Sequence, residues 1–351
     1  MSHTAQRAEG KNRIILGTMT FGSDESKGAR ITSLDEYKKH LNYLKSRGYN
    51  EIDTARAYIG GTQEAWSADA GYKEKGLKIA SKIYPTAPGA HKADKIKEAV
   101  QTSLKELRTD KVDIYYLHAA DRTTPFHESL KAINDLHKEG KFDTFAISNF
   151  TAAEVAEVCT ICEYEGWVRP TLYQGMYNAV CRGAEPELVP VLRRFKIDWV
   201  VYNPIAGGLL SGKYKSEEPP KDGRFGSQSS TGENYRKRYF RPAAFDALEV
   251  IEKAIQPHGL TMVETALRWC VHHSQLNLAD KGGNDGIIMG VSSFSQLESN
   301  LNDLEKGPLP DDVVKALDEA WMICKASAVP YWHGENKYTY ELAPELYGQK
   351  K

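Results

Sequence analysis

The sequence predicts an α/β fold closed as a (β/α)8 barrel, on three observations. Eight short apolar runs with strand character begin near Ile14, Glu51, Lys78, Val112, Phe142, Thr171, Asp198 and Ile287. The first six intervals between these starts are 37, 27, 34, 30, 29 and 27 residues, the length of one strand plus one crossover helix. Several runs end on a polar side chain, and the C-terminal rim of such a barrel is where its chemistry is built.

Each interval can be justified in turn. Helical patterns fill residues 34–47, 93–107, 126–139, 152–165 and 187–194. The seventh interval departs from the period, with 89 residues from Asp198 to Ile287. It opens on a polar, glycine-rich stretch and continues into helical patterns at 243–255 and 262–273. A loop of that length (about 205–240) inside a barrel is expected to serve function, because it follows a strand at the active rim. After the eighth run, residues 295–304 and 311–325 read as helices, with Asp311 and Asp312 suited to the positive end of the second. An aromatic tail, about 326–351, is expected to lie over the barrel surface. No repeat beyond the βα period and no linker interrupts the chain, so residues 1–351 read as one domain.

Bulk properties exclude several classes. The formal net charge is −1, so no basic field points to nucleic acid. No run reaches the 18 or so apolar residues of a membrane span, and Ser2 to Lys11 is too polar for an export signal. Five cysteines, an odd number, then fit reduced thiols in a cytoplasmic setting. Cys159 and Cys162 have redox-motif spacing but sit among Val155, Val158 and Ile161, so they read as buried free thiols. Asn149-Phe150-Thr151 reads as an accidental glycosylation match, His272-His273 as a helix end, and no metal-ligand spacing is found.

The chemistry-bearing residues cluster at one predicted rim. Asp53 ends the second strand and Tyr58 follows five residues later, before the turn Gly60-Gly61. Lys82 closes the third strand and His118 the fourth. A phenol acts as a general acid only when its anion is stabilised, since its reference pKa is near 10. Asp53 is expected to orient the Lys82 ammonium against the Tyr58 oxygen. A cation ~4 Å from a phenolate is worth roughly 4 kcal/mol at an effective dielectric near 20. That is about three pKa units, enough to bring the tyrosine within reach of neutral pH. His118 is expected to hydrogen-bond a carbonyl oxygen.

On these residues the chain resembles the aldo-keto reductases, from Ile15-Leu16-Gly17-Thr18-Met19 to about Trp332. The resemblance rests on Asp53, Tyr58, Lys82 and His118, on Ile147-Ser148-Asn149-Phe150, and on Gln174 with Tyr177-Asn178. The run from Tyr202 to Tyr214 and Gly223-Arg224-Phe225 look most like the aflatoxin-aldehyde reductase branch. The resemblance implies a barrel that reduces aldehydes or ketones with NADPH, Tyr58 being the proton donor. It implies cofactor contacts from Thr18, Met19 and Asp53, and carboxamide contacts from Ser148, Asn149 and Gln174. Tyr202 would stack on the nicotinamide. Asn203, Pro204, Ala206, Gly207, Leu209, Gly212 and Lys213 would wrap the pyrophosphate. Ser292, Ser293, Gln296 and Asn300, at the start of the last βα helix, resemble the adenosine-phosphate site, where a helix N-terminus suits an anion. Many members carry a lysine and an arginine where this chain has Gly290 and Gln296, so the 2′-phosphate grip is expected to fall on Arg224.

Substrate contacts implied by the branch are Tyr235 and Arg238, three residues apart on one helical face, beside His118. The branch adds an arginine near the C-terminus, which is missing here, where the tail reads Val329-Pro330-Tyr331-Trp332-His333. Tyr331 and Trp332 are therefore expected to offer stacking surface, and Arg238 to anchor any carboxylate. An exposed arginine in the basic run Arg236-Lys237-Arg238 is the alternative. The function classes left open are the reductase, a cofactor-binding regulatory subunit resembling channel β-subunits, and a Schiff-base aldolase on Lys82. Monomer and homodimer are both open.

Overall fold

In the computed structural model, which describes residues 10–221, 223–227 and 230–341, eight parallel strands pair in chain order and close on themselves. They are β1 (Arg13–Gly17), β2 (Glu51–Asp53), β3 (Lys78–Ile83), β4 (Val112–Leu117), β5 (Phe142–Ser148), β6 (Leu172–Met176), β7 (Asp198–Tyr202) and β8 (Gly286–Gly290). Every strand begins within a residue of its expected start. The first eight residues of the stretch read as too polar for export (2–9) and the tail beyond 341 lie outside the described residues.

Helices α1 (Leu34–Ser46), α2 (Gln63–Asp69), α3 (Ala93–Glu106), α4 (Phe126–Lys138), α5 (Ala152–Glu165) and α6 (Leu188–Arg194) follow β1 to β6 in turn. The long seventh crossover holds α7 (Ser230–Tyr239), α8 (Pro242–Ile255) and α9 (Met262–His272), and β8 is followed by α10 (Phe294–Leu304) and α11 (Asp311–Cys324). Local chemistry sets several starts. Ser33, Thr261 and Ser293 accept backbone N–H bonds as caps, and Thr151 with Glu154 forms a capping box on α5.

Alternation along the strands builds two cores. Ile15, Ala80, Ile114, Tyr116, Val200 and Ile288 point into the barrel, and the opposite faces pack on the helices. Arg13 closes the barrel floor through a buried bidentate pair with Glu51, at 2.8 and 2.7 Å. The five cysteines are buried free thiols; burial pushes Cys159 up to about 12, so Cys159 and Cys162 fit their core reading.

Two elements depart from the sequence reading. The short α2 went unforeseen, because it has no apolar stripe: its inward residues are Gln63, Glu64 and Ser67, all buried. The stretch expected as a loop over 205–240 contains α7 and an aromatic cluster instead. Phe225 is fully buried and stacks on Phe240 at 4.5 Å, with Tyr214 edge-on at 5.0 Å. These aromatics fold the insert back over the rim after β7.

Candidate active site

Strand alternation turns Asp53 and Lys82 inward at adjacent rims, since Asp53 lies opposite Ala80 in the β2–β3 register. Their side chains meet in a buried ion pair, Lys82 Nζ donating to Asp53 Oδ2 at 2.6 Å and to the Thr54 carbonyl at 2.5 Å. The other carboxylate oxygen accepts from Gln174 Nε2 at 3.0 Å. Burial pushes Asp53 up and Lys82 down from their ordinary values, and each charge is held by the other. Lys82 is fully buried, so it supplies charge without being free to leave.

Tyr58 and His118 stand above this pair, facing the pocket. Lys82 Nζ lies 5.1 Å from the centre of the Tyr58 ring, and the Tyr58 and His118 rings are edge-on at 6.0 Å. The ammonium thus lies against the Tyr58 ring. The expected lowering of the Tyr58 pKa is corrected. Burial first, and then the Asp53 charge, raise it well above its ordinary value. The lysine charge alone would lower it, but Asp53 at 2.6 Å from Lys82 cancels most of its field. Tyr58 is therefore a protonated phenol at neutral pH. Burial, with Lys82 and His333 adding to it, pushes His118 well below the ordinary histidine value, so its ring is neutral. Its Nδ1 has no partner in the structure.

Backbone strain concentrates at the same rim. Among the described residues, six non-glycine residues have positive φ; Arg108 and Lys196 directly follow helix ends, where that conformation is usual. The other four, Ile59, Asn149, Asn203 and Ala206, all lie on loops after β2, β5 and β7. Ile59 is the costliest, being β-branched. Its side chain fills the space where Gly22 has no Cβ, and the turn it makes carries Tyr58. Strain of this kind clusters at functional sites.

The predicted cofactor residues line that rim. Thr18 Oγ1 donates to the Asp53 carbonyl at 2.8 Å. Asn149 donates to the His118 carbonyl at 2.8 Å and accepts from Tyr202 Oη at 2.7 Å, with Ser148 beside it. Gln174 is turned under Asp53. Asn203 reaches Tyr239 Oη at 3.2 Å, and Pro204, Ala206 and Leu209 are buried beneath the loop. Gly207, Gly208 and Gly212 all adopt left-handed φ, which bares their backbone, and Lys213 is exposed beside them. A Cβ on Gly207 would stand 2.6 Å from the Tyr235 ring, so this turn packs directly against that ring. At the α10 N-terminus, Ser292 N and Oγ both donate to Gln296 Oε1, Ser293 is the cap, and Asn300 is buried one helical turn on. The Arg224 guanidinium is 3.6 Å from Met19 Sδ and 5.0 Å from the Tyr235 ring centre.

The substrate candidates divide. Tyr235 and Arg238 share a face of α7, with the guanidinium 5.6 Å from the ring centre. The basic run is not one solvated face. Lys237 is exposed and pairs with Glu233, Arg236 binds the Phe225 and Gly226 carbonyls, and Arg238 is half-buried against His333 Nε2 at 3.2 Å. Tyr331 points away from the pocket, its hydroxyl donating to Glu187 at 2.6 Å, and Trp332 stacks edge-on against it. The residue that enters is His333, whose ring reaches Tyr202 Oη at 3.3 Å and Tyr84 Oη at 3.5 Å.

His333, Tyr84, Arg56 and Glu64 were all missed. Tyr84 had a signal, lying two residues beyond Lys82 on the same strand face. Nothing in the sequence could have aimed His333, which is placed by a distant ion pair. Arg122, paired with Glu154 at 2.7 Å, holds the His333 carbonyl at 2.7 Å, and Tyr338 ties the tail to Glu154.

With this geometry in place, the chain can be set beside known proteins. The model of the aldo/keto reductase family matches residues 13–322. The chain is 41% identical over 298 residues to an aldo-keto reductase of Pseudocercospora fijiensis, covering 83% of this chain and 99% of that one. It is 42% identical over 321 residues to aflatoxin B1 aldehyde reductase member 2 of Mus musculus, 88% of this chain and 84% of that one. Aflatoxin B1 aldehyde reductase member 4 of Homo sapiens is 41% identical over 337 residues, 92% and 96% of the two chains.

Proposed function

The chain belongs to the aldo/keto reductase family, and from that premise we propose that it reduces aldehydes and ketones to alcohols with NADPH. The observation that carries the proposal is the buried Lys82–Asp53 pair beneath Tyr58 and beside a neutral His118. NADPH, when bound, would supply the hydride to the carbonyl carbon. The left-handed glycines from Gly207 to Gly212 and the capped N-terminus of α10 fit its phosphates, and Ser148, Asn149 and Gln174 fit its carboxamide.

The chain's own residues account for the proton. Tyr58, protonated at neutral pH, gives its proton to the carbonyl oxygen as negative charge develops there. Lys82 steadies the resulting phenolate, and Asp53 keeps Lys82 in place. The neutral His118 ring donates a hydrogen bond to the same oxygen, which orients the carbonyl and polarises it. The walls formed by Tyr84, Tyr202 and Tyr235 suit an apolar or aromatic carbonyl compound, and Arg238 suits a negatively charged end. A cytoplasmic setting agrees with five reduced thiols.

The test is Tyr58→Phe. Its kcat for 4-nitrobenzaldehyde should fall at least about 100-fold, the low end for general acid–base catalysis, while NADPH still quenches protein fluorescence. Near-parental turnover would remove Tyr58 from the mechanism. Tight NADPH retention with negligible turnover by the parent protein would favour a regulatory subunit.

A further inference from the structure

Helix α2 turns three polar side chains toward the barrel, Gln63, Glu64 and Ser67, all fully buried where a crossover helix would ordinarily place an apolar stripe. Their partners explain the pattern. Because Asp53 and Lys82 point into the barrel, their chain neighbours Thr54 and Ser81 point outward, toward α2. Gln63 Oε1 accepts from Thr54 Oγ1, and Glu64 Oε1 accepts from Ser81 Oγ at 2.5 Å. The second Glu64 oxygen pairs with Arg56, whose other Nη donates to the Gly61 carbonyl. Arg56 N also donates to the Lys82 carbonyl at 3.0 Å.

One side chain therefore spans the loop that carries Tyr58. Arg56 and Gly61 bracket it, and the guanidinium fastens the far end to the near end. Gly61 has left-handed φ, and a Cβ there would come within 2.8 Å of Arg56 Nη2, so the turn leaves room for this contact. A buried ion pair is weak evidence for stability, since an apolar replacement is often as stable. Here each bond ends beside a reacting group: Ser81 precedes Lys82, Thr54 follows Asp53, and Arg56 and Gly61 flank Tyr58.

We propose that Arg56 and Glu64, with Gln63, are positioning residues that hold the Tyr58 loop over Lys82 and Asp53 from outside the barrel. They act on placement of the proton donor and not on substrate or cofactor binding. This inference rests on the reductase reading above.

The experiment compares the parent protein with Arg56→Ala, Arg56→Lys and Glu64→Gln, each checked for folding by circular dichroism. Arg56→Ala should lower kcat by about 100-fold, the scale of a 1 Å misplacement, with KM and NADPH quenching little changed. Added guanidinium ion should restore part of the lost kcat, and Arg56→Lys should lie between parent and Arg56→Ala. Full activity in Arg56→Ala and Glu64→Gln would overturn the inference, as would a loss confined to KM or one that guanidinium does not relieve. If Arg56→Ala does not fold, Glu64→Gln decides on the same kcat-against-KM criterion. Should the parent protein show no turnover, the reductase reading fails and placement is judged separately. The Tyr58 ring environment, read as the near-ultraviolet circular dichroism band lost in Tyr58→Phe, should then change in Glu64→Gln; an unchanged band would overturn the positioning role.

Discussion

Removing both members of the Asp53–Lys82 pair should destabilise the protein by clearly less than the two single removals add up to. At 2.6 Å the two charges attract by about 6 kcal/mol at an effective dielectric near 20, set against a desolvation cost of several kcal/mol for each ion. Asp53→Asn leaves a buried ammonium with one carbonyl acceptor, Thr54, and an amide N–H₂ facing either Lys82 or Gln174. Lys82→Met leaves a buried carboxylate with one amide donor. Each single variant should lose about 3–5 kcal/mol, the usual cost of stranding one buried charge. The double variant Asp53→Asn/Lys82→Met carries no net buried charge and should lose clearly less than the sum. Urea unfolding followed by circular dichroism measures all four corners of this cycle. The same four proteins are assayed for turnover, where all three variants should be inactive. If the double variant loses the sum of the single losses, the two groups do not act as a coupled pair. If the double variant retains turnover, the pair does not support the acid.

The remaining predictions concern single side chains. Arg224→Ala should weaken NADPH by about 10- to 100-fold, the worth of one charge-assisted contact, and leave NADH almost unchanged. Equal weakening of both by fluorescence titration would assign Arg224 only its contacts with Met19 and Tyr235. Arg238→Ala should raise KM for succinic semialdehyde selectively over 4-nitrobenzaldehyde, and parallel changes would remove Arg238 as a carboxylate anchor. Burial pushes His91 down to about 4, its Nε2 without a partner, so it enters the folded state neutral. The unfolded chain takes up that proton below about pH 6.5, so stability from this site is present above 6.5 and is lost as pH falls toward 4. At pH 5 the loss is about 2 kcal/mol. His91→Gln should flatten that part of the acid limb in urea titrations, and an unchanged limb would refute it.

Strand positions and the meeting of Asp53 with Lys82 were legible because both follow from period. Alternation at two residues aims Asp53 and Lys82 inward, and a βα spacing near 30 residues puts their strand ends at one rim. Helix α2 lacked an apolar stripe, so periodicity could not see it, although its polar face lies against the site. The insert after β7 was read from glycines and charge, yet Phe225 and Phe240 give it a core of its own. Tyr331 and His333 show the limit of reading a tail. They are two residues apart, yet one is pinned to Glu187 and the other enters the pocket through the Arg122–Glu154 pair.

The Tyr58 pKa makes the same point about energies. A lysine near a phenol lowers its pKa only to the extent that the lysine's charge is unspent, and residue identities cannot say how much is spent. Here Asp53 takes most of it at 2.6 Å, while burial raises the phenol further. The resulting arrangement suits an acid better than an ionised tyrosine would, because a proton donor must hold its proton until the carbonyl oxygen becomes basic. In the proposed mechanism Lys82 acts on the phenolate only as it forms, when the Tyr58 charge has appeared and the field over its ring matters most. Lowering the resting pKa would strengthen neither step. A fixed, paired cation beneath a protonated phenol favours the transition state over the resting site, and that difference is what accelerates a reaction.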